Sequence, residues 1–197
     1  MMKKTILLFM ASLLLMGFAQ AQKIKVESGD LSFLKDLAEL NITFEYPDNM
    51  KLGKTTQEKY IDDKVRAAEE KEAGSGEAWK EKYFADRTEH YEPMFMSGLD
   101  KYTGDLYVVQ DDDSYEYTLI VKTTFMEPGF NMGIQSKKSA VDLELTFVET
   151  ANPDQVISVV LVSKAPGAAT FDQGLRVGDA YFTAAQSFGK YLKKKYM

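Results

Sequence analysis

Ala140-Val-Asp-Leu-Glu-Leu-Thr-Phe-Val-Glu149 alternates apolar Val141, Leu143, Leu145 and Phe147 with Asp142, Glu144 and Thr146. A period of two over this length is the mark of a strand with one face on a core and one toward water. Upstream, Tyr115 to Met126 predicts a second long strand, with Tyr117, Leu119, Val121, Thr123 and Phe125 on one face. Downstream, Asn152-Pro153-Asp154 predicts a turn, with proline suited to its second position. Val156 to Val162 follows, with Ile157, Val159 and Leu161 against Val156, Val160 and Val162. Apolar residues on both sides predict an interior strand with both faces covered.

The remaining elements are read outward from this run of strands. Leu40-Asn-Ile-Thr-Phe-Glu-Tyr46 alternates and is stopped by Pro47-Asp48-Asn49, which gives an early strand, and Leu106 to Val109 gives a short one. Thr56 to about Glu72 predicts an amphipathic helix, with Tyr60, Ile61, Val65 and Ala68 on its apolar face. Gly74-Ser75-Gly76 breaks it, and a second helix from about Glu77 carries Trp79, Tyr83, Phe84, Arg87 and Tyr91. Pro93 removes a donor and crowds the carbonyl four residues earlier, so a kink or restart is expected there.

The chain closes on a long helix in which Phe171, Leu175, Gly178, Phe182, Ala185, Gly189, Leu192 and Tyr196 recur at heptad spacing. Glycine and alanine make poor coiled-coil knobs, so this seam is expected to pack on the protein's own sheet. The order predicts an α+β fold: a mainly antiparallel or mixed sheet of four to five strands, three to four helices, and a long C-terminal helix.

The first residues combine Met-Met-Lys-Lys, an apolar block from Ile6 to Phe18, and Ala19-Gln20-Ala21. These are the three regions of a cleavable secretory signal, and the cut is expected between Ala21 and Gln22. As a helix the apolar block would span only about 20 Å, short of a bilayer's ~30 Å core. Residues 22–197 then form one domain, periplasmic or secreted, with no membrane anchor after cleavage. The chain contains no cysteine, so it offers neither a disulfide nor the acylated residue of a lipoprotein.

The formal charge of −6 becomes more negative still when Lys3 and Lys4 are removed, which argues against nucleic acid and anionic lipid as bulk partners. Without a thiol there is no cysteine nucleophile, and with one histidine, His90, no multi-histidine zinc site. His90 beside Glu89 and Glu92 is read as a surface or interface residue, and no catalytic residue, cofactor or metal centre is assigned. Asp111-Asp112-Asp113 is the candidate for a hard cation such as calcium, although it lacks the alternating ligand spacing of an EF-hand and also reads as a solvated turn. Glu127 to Lys138 is longer than a strand connection requires and carries Phe130, Met132 and Ile134 between glycines. Those three are the candidate contacts for a partner or ligand, against the reading that they fold back as a lid over the sheet.

Tyr117-Thr-Leu-Ile-Val, Glu127-Pro-Gly129, the Ala140–Glu149 strand, the Asn152-Pro153-Asp154 turn and the closing helix resemble uncharacterised exported proteins of Gram-negative envelopes. Their strand-strand-helix core is similar to that of the TolB amino-terminal domain and the curli-export lipoprotein. The resemblance implies an envelope protein that binds or assembles, and it carries over no catalytic residue. Lipidation and pore formation do not carry over, because the acylated cysteine is missing.

Two functions follow. One is a non-enzymatic envelope domain that binds an envelope protein or small ligand through its sheet face or the Glu127–Lys138 loop, in an oligomeric state left open. The other is a carboxylate-dependent hydrolase acting on envelope or dietary glycan.

Overall fold

The computed structural model describes residues 22–104 and 106–197; the expected signal segment, residues 1–21, lies outside them. The two alternating stretches pair as expected. β6 (Tyr117–Glu127) and β9 (Ala140–Glu149) run antiparallel, with Leu119 opposite Phe147 and Val121 opposite Leu145. β10 (Asn152–Pro166) flanks β9, and β1 (Lys23–Gly29) flanks β10. On the other side β2 (Glu39–Glu45) and β5 (Tyr107–Gln110) add in parallel. With the short β3 (Lys51–Leu52) and β4 (Thr55–Thr56), the order β1-β10-β9-β6-β2-β5 makes an eight-stranded mixed sheet. The fold is α+β, with more strands than the four to five expected, because β1 and the β3–β4 hairpin are too short or too polar to announce themselves.

Four α-helices are described: α1 (Gln57–Glu69), α2 (Ser75–Asp86), α3 (Glu92–Thr103) and α4 (Gln173–Lys195). Thr56 caps α1 by accepting from the Lys59 N–H, and Gly74, at φ +83°, separates α1 from α2. The interruption expected at Pro93 is a π-helical turn, Arg87–Tyr91, which leaves Pro93 in the first turn of α3, where its missing N–H is harmless.

α4 lies on the sheet through Val177, Tyr181, Ala184 and Phe188, with the Phe188 ring 6.2 Å from Phe147 and the Tyr181 hydroxyl 2.5 Å from that of Thr123. Its glycines do not face the sheet as expected. Cβ atoms at Gly178 and Gly189 would strike Met94 and Tyr102, and one at Gly98 would strike the Phe182 carbonyl, so the small-residue seam receives α3. The buried core lies between sheet and helices, from Leu31 and Leu40 through Leu119, Leu145 and Phe147 to Phe188. The outward side of β10 is not fully covered among the described residues: Val159 and Leu161 stay half-buried and Val156 is exposed, whereas Ile157 packs against the core.

Candidate functional site

The Glu127–Lys138 segment does not fold back as a lid. Phe130–Asn131 (β7) and Ser136–Lys137 (β8) pair as a separate hairpin, with Phe130 opposite Lys137. Its turn is closed by the Met132 N–H donating to the Gln135 carbonyl at 2.9 Å, and by the Gly133 N–H donating to Asn131 Oδ1. Gly129, at φ +63°, is required at the foot of the hairpin, since a Cβ there would lie 2.4 Å from the Lys137 carbonyl. Phe130, Met132 and Ile134 all stand exposed, Ile134 to 96%.

A second loop is fastened to this hairpin. Asn131 Nδ2 donates to the Ala169 carbonyl at 2.5 Å. Arg176, buried in the first turn of α4, donates through Nε to the Pro128 carbonyl at 2.9 Å and through Nη1 to the carbonyls of Thr170 and Phe171. Phe171 and Leu175, also exposed, therefore share one hydrogen-bonded frame with the hairpin. The apolar tip thus sits at the end of a hydrogen-bonded frame with its side chains turned to water. Sequence inspection found its first three residues. It missed Phe171, which the heptad pattern assigns to the buried stripe although it precedes the first residue of α4.

Asp111–Asp113 form an exposed turn between β5 and β6. The Asp112 carboxylate accepts from the Ser114 N–H and hydroxyl, and the Asp112 N–H donates to the buried Asn41 side chain. Among the described residues, the acidic and histidine side chains that converge closely enough for a metal are instead Asp86, His90 and Asp172, with ligand atoms within 4.8 Å of one another. The π turn places His90 beside Asp86, and Gly174 lets α4 approach both, since a Cβ there would lie 2.3 Å from Asp86 Oδ1. The Lys82 ammonium stands between the carboxylates, 2.9 Å from Asp86 and 3.3 Å from Asp172, so a metal ion would have to displace it.

The two carboxyls are pushed in opposite directions. Burial raises the Asp86 pKa against the pull of Lys82, whereas the Leu175 N–H, helped by Lys82, holds Asp172 below the usual range. Beside them lies a tyrosine cluster. Burial pushes the Tyr83 hydroxyl up to about 12, and the buried Tyr91 hydroxyl has no hydrogen-bond partner among the described residues.

No known protein family matches the chain, and no curated protein does. Solved structures are similar to it: a single-substitution variant of PelC from Paraburkholderia phytofirmans, crystallised as a dodecamer, matches at 10% identity and TM-score 0.41, covering 88% of this chain and 95% of that one. A second PelC dodecamer from the same organism matches at 11% identity and TM-score 0.39, over 89% of this chain and 99% of that one. Protein XCC0632 of Xanthomonas campestris, a DUF330 protein, matches at 13% identity and TM-score 0.33, over 83% and 86% of the two chains. At such TM-scores these similarities do not establish a common fold.

Proposed function

We propose that this chain is a non-enzymatic exported domain of the cell envelope that binds a protein partner through the tip formed by Phe130, Met132 and Ile134. The observation that carries the reading is three exposed apolar side chains on a hairpin fixed by Arg176, Asn131 and Gly129. Exposing such residues forgoes about 1.5–3 kcal/mol of burial each, a cost that a partner's surface would recover. The secretory pattern of residues 1–21 and the resemblance to exported envelope proteins support the location.

Alanine at all three positions should leave the thermal midpoint unchanged, because none supports the core, and should abolish capture of the partner from an envelope extract. Undiminished capture by the triple variant would remove the tip from the proposal.

The hydrolase reading is supported by Asp86 and Asp172, whose pKa values are driven apart as an acid and its partner require. Against it, the Asp86 side chain is only 3% exposed and is paired with Lys82, which leaves little room for a glycan. Reducing-sugar release from purified peptidoglycan that disappears in Asp86→Asn would favour this second reading over the first.

A further inference from the structure

Two β-bulges face each other across β9 at the end of the sheet nearest the hairpin. On β6 the register slips between Thr123 and Phe125, and on β10 between Val162 and Ala165. Asp142 joins the two: it lies opposite Phe125, and its Oδ1 accepts the Lys164 N–H at 2.6 Å. Lys164 is held there at φ +57°, a left-handed conformation unusual for a residue with a Cβ. Strain of this kind persists only where the surroundings enforce it, and paired bulges re-aim side chains beside binding sites.

The consequence is a cleft of about 720 Å³, of the size that small-molecule sites occupy. The first bulge sends Met126 into the core and leaves Phe125 half-buried in the cleft, with Ala140 and Pro166. Lys137, Lys138 and Lys164 stand around it. Glu127 already pairs with Lys137 at 2.5 Å. Among the described residues no carboxylate lies within 4 Å of the Lys138 or Lys164 ammonium groups. Phe125, Ala140 and Pro166 form an apolar floor, and of the charged groups around it, three lysines against Glu127 and Asp142, the Lys138 and Lys164 ammonium groups are the unpaired ones, which favours a chain of carbon atoms ending in an anion.

We propose that this cleft binds a free anionic amphiphile, a single acyl chain with a carboxylate or phosphate head, with Lys138 and Lys164 on the head and Phe125 and Pro166 against the chain. The site is separate from the apolar tip and does not depend on the tip's having a partner.

Sodium dodecanoate, titrated calorimetrically into the purified protein below its micellar concentration, tests the proposal. Saturable one-site binding is expected, with the dissociation constant raised about tenfold or more in Lys138→Gln/Lys164→Gln. Lys164→Gly keeps the left-handed backbone comfortable while removing the ammonium, so weakened binding in this variant cannot be ascribed to misfolding. Lys190→Gln/Lys193→Gln, remote on α4, should bind like the parent. The tip triple-alanine variant should also bind dodecanoate like the parent, which keeps failure of the tip reading apart from failure of this one. The proposal is overturned by absence of saturable binding, by equal affinity in the Lys138/Lys164 variants, by equal affinity for inorganic phosphate, or by binding confined to phosphatidylglycerol vesicles.

Discussion

Arg176 is a cation buried where helix electrostatics do not favour it. It sits in the first turn of α4, at the positive end of the helix dipole, and no carboxylate pairs with it among the described residues. What compensates is a fan of backbone carbonyls, Pro128 from one loop and Thr170, Phe171 and Asp172 from the other. The planar guanidinium reaches both loops at once, a geometry a lysine cannot copy. Arg176→Met should therefore lower the urea midpoint, since the buried Pro128 carbonyl left without a donor costs about 1–3 kcal/mol. It should also release the Asn131–Ala169 contact, so that amide exchange in residues 129–137 quickens while that of β9 does not. Arg176→Lys should recover only part of the loss. An unchanged midpoint in the methionine variant would mean that the loops hold their arrangement without the clamp.

At the scale of elements, the small residues of α4 illustrate what periodicity can and cannot tell. Heptad spacing from Gly178 to Leu192 identified a helix and its buried side, whereas Leu175, in the same pattern, is exposed. It did not say which neighbour would meet the glycines, because sheet and helix both accept a flat surface. The partner is α3, whose Gly98 would place a Cβ 2.5 Å from the Phe182 carbonyl and 3.0 Å from Ala185. Gly98→Ala should consequently lower the melting temperature. The helix propensity gained, about 1 kcal/mol, is outweighed by backbone displacement of about 1–3 kcal/mol. Gly104→Ala, whose Cβ meets open space, serves as the neutral comparison.

The long strands were equally legible, since β6 and β9 each bury one face and the alternation shows it. Their bulges were not. Strict alternation assigned Phe125 to the core, and the slip after Thr123 buries Met126 in its place. Of the tip, Phe130, Met132 and Ile134 were visible as apolar residues where none was needed. The Asp86–His90–Asp172 cluster was invisible, because it depends on a π turn and on residues far apart in sequence.

For the whole molecule, the least expected element is β1. Lys23-Ile-Lys-Val-Glu-Ser-Gly29 looks like a polar leader, yet Ile24 and Val26 pack against the core and lie opposite Val162 and Val160. Only these two residues of the strand turn apolar side chains inward, too few for a sequence pattern to register. The pairing closes a loop of more than a hundred residues, so β1 can dock only after β10 has formed. Until then β10 is a bare edge, rich in valine on both faces, of the kind that recruits strands from other molecules.

The expected cut between Ala21 and Gln22 would leave β1 whole, and the Gln22 side chain accepts from the Ser187 hydroxyl of α4. A chain beginning at Asp30 should therefore express but associate, giving large species by light scattering and thioflavin fluorescence, whereas a chain beginning at Gln22 should not. Ile24→Asp/Val26→Asp should imitate the truncation at full length, because two charges placed against the core from partly buried positions would weaken the strand's docking. A monodisperse, cooperatively unfolding chain beginning at Asp30 would show that β10 tolerates its own free edge and that β1 serves something other than its protection.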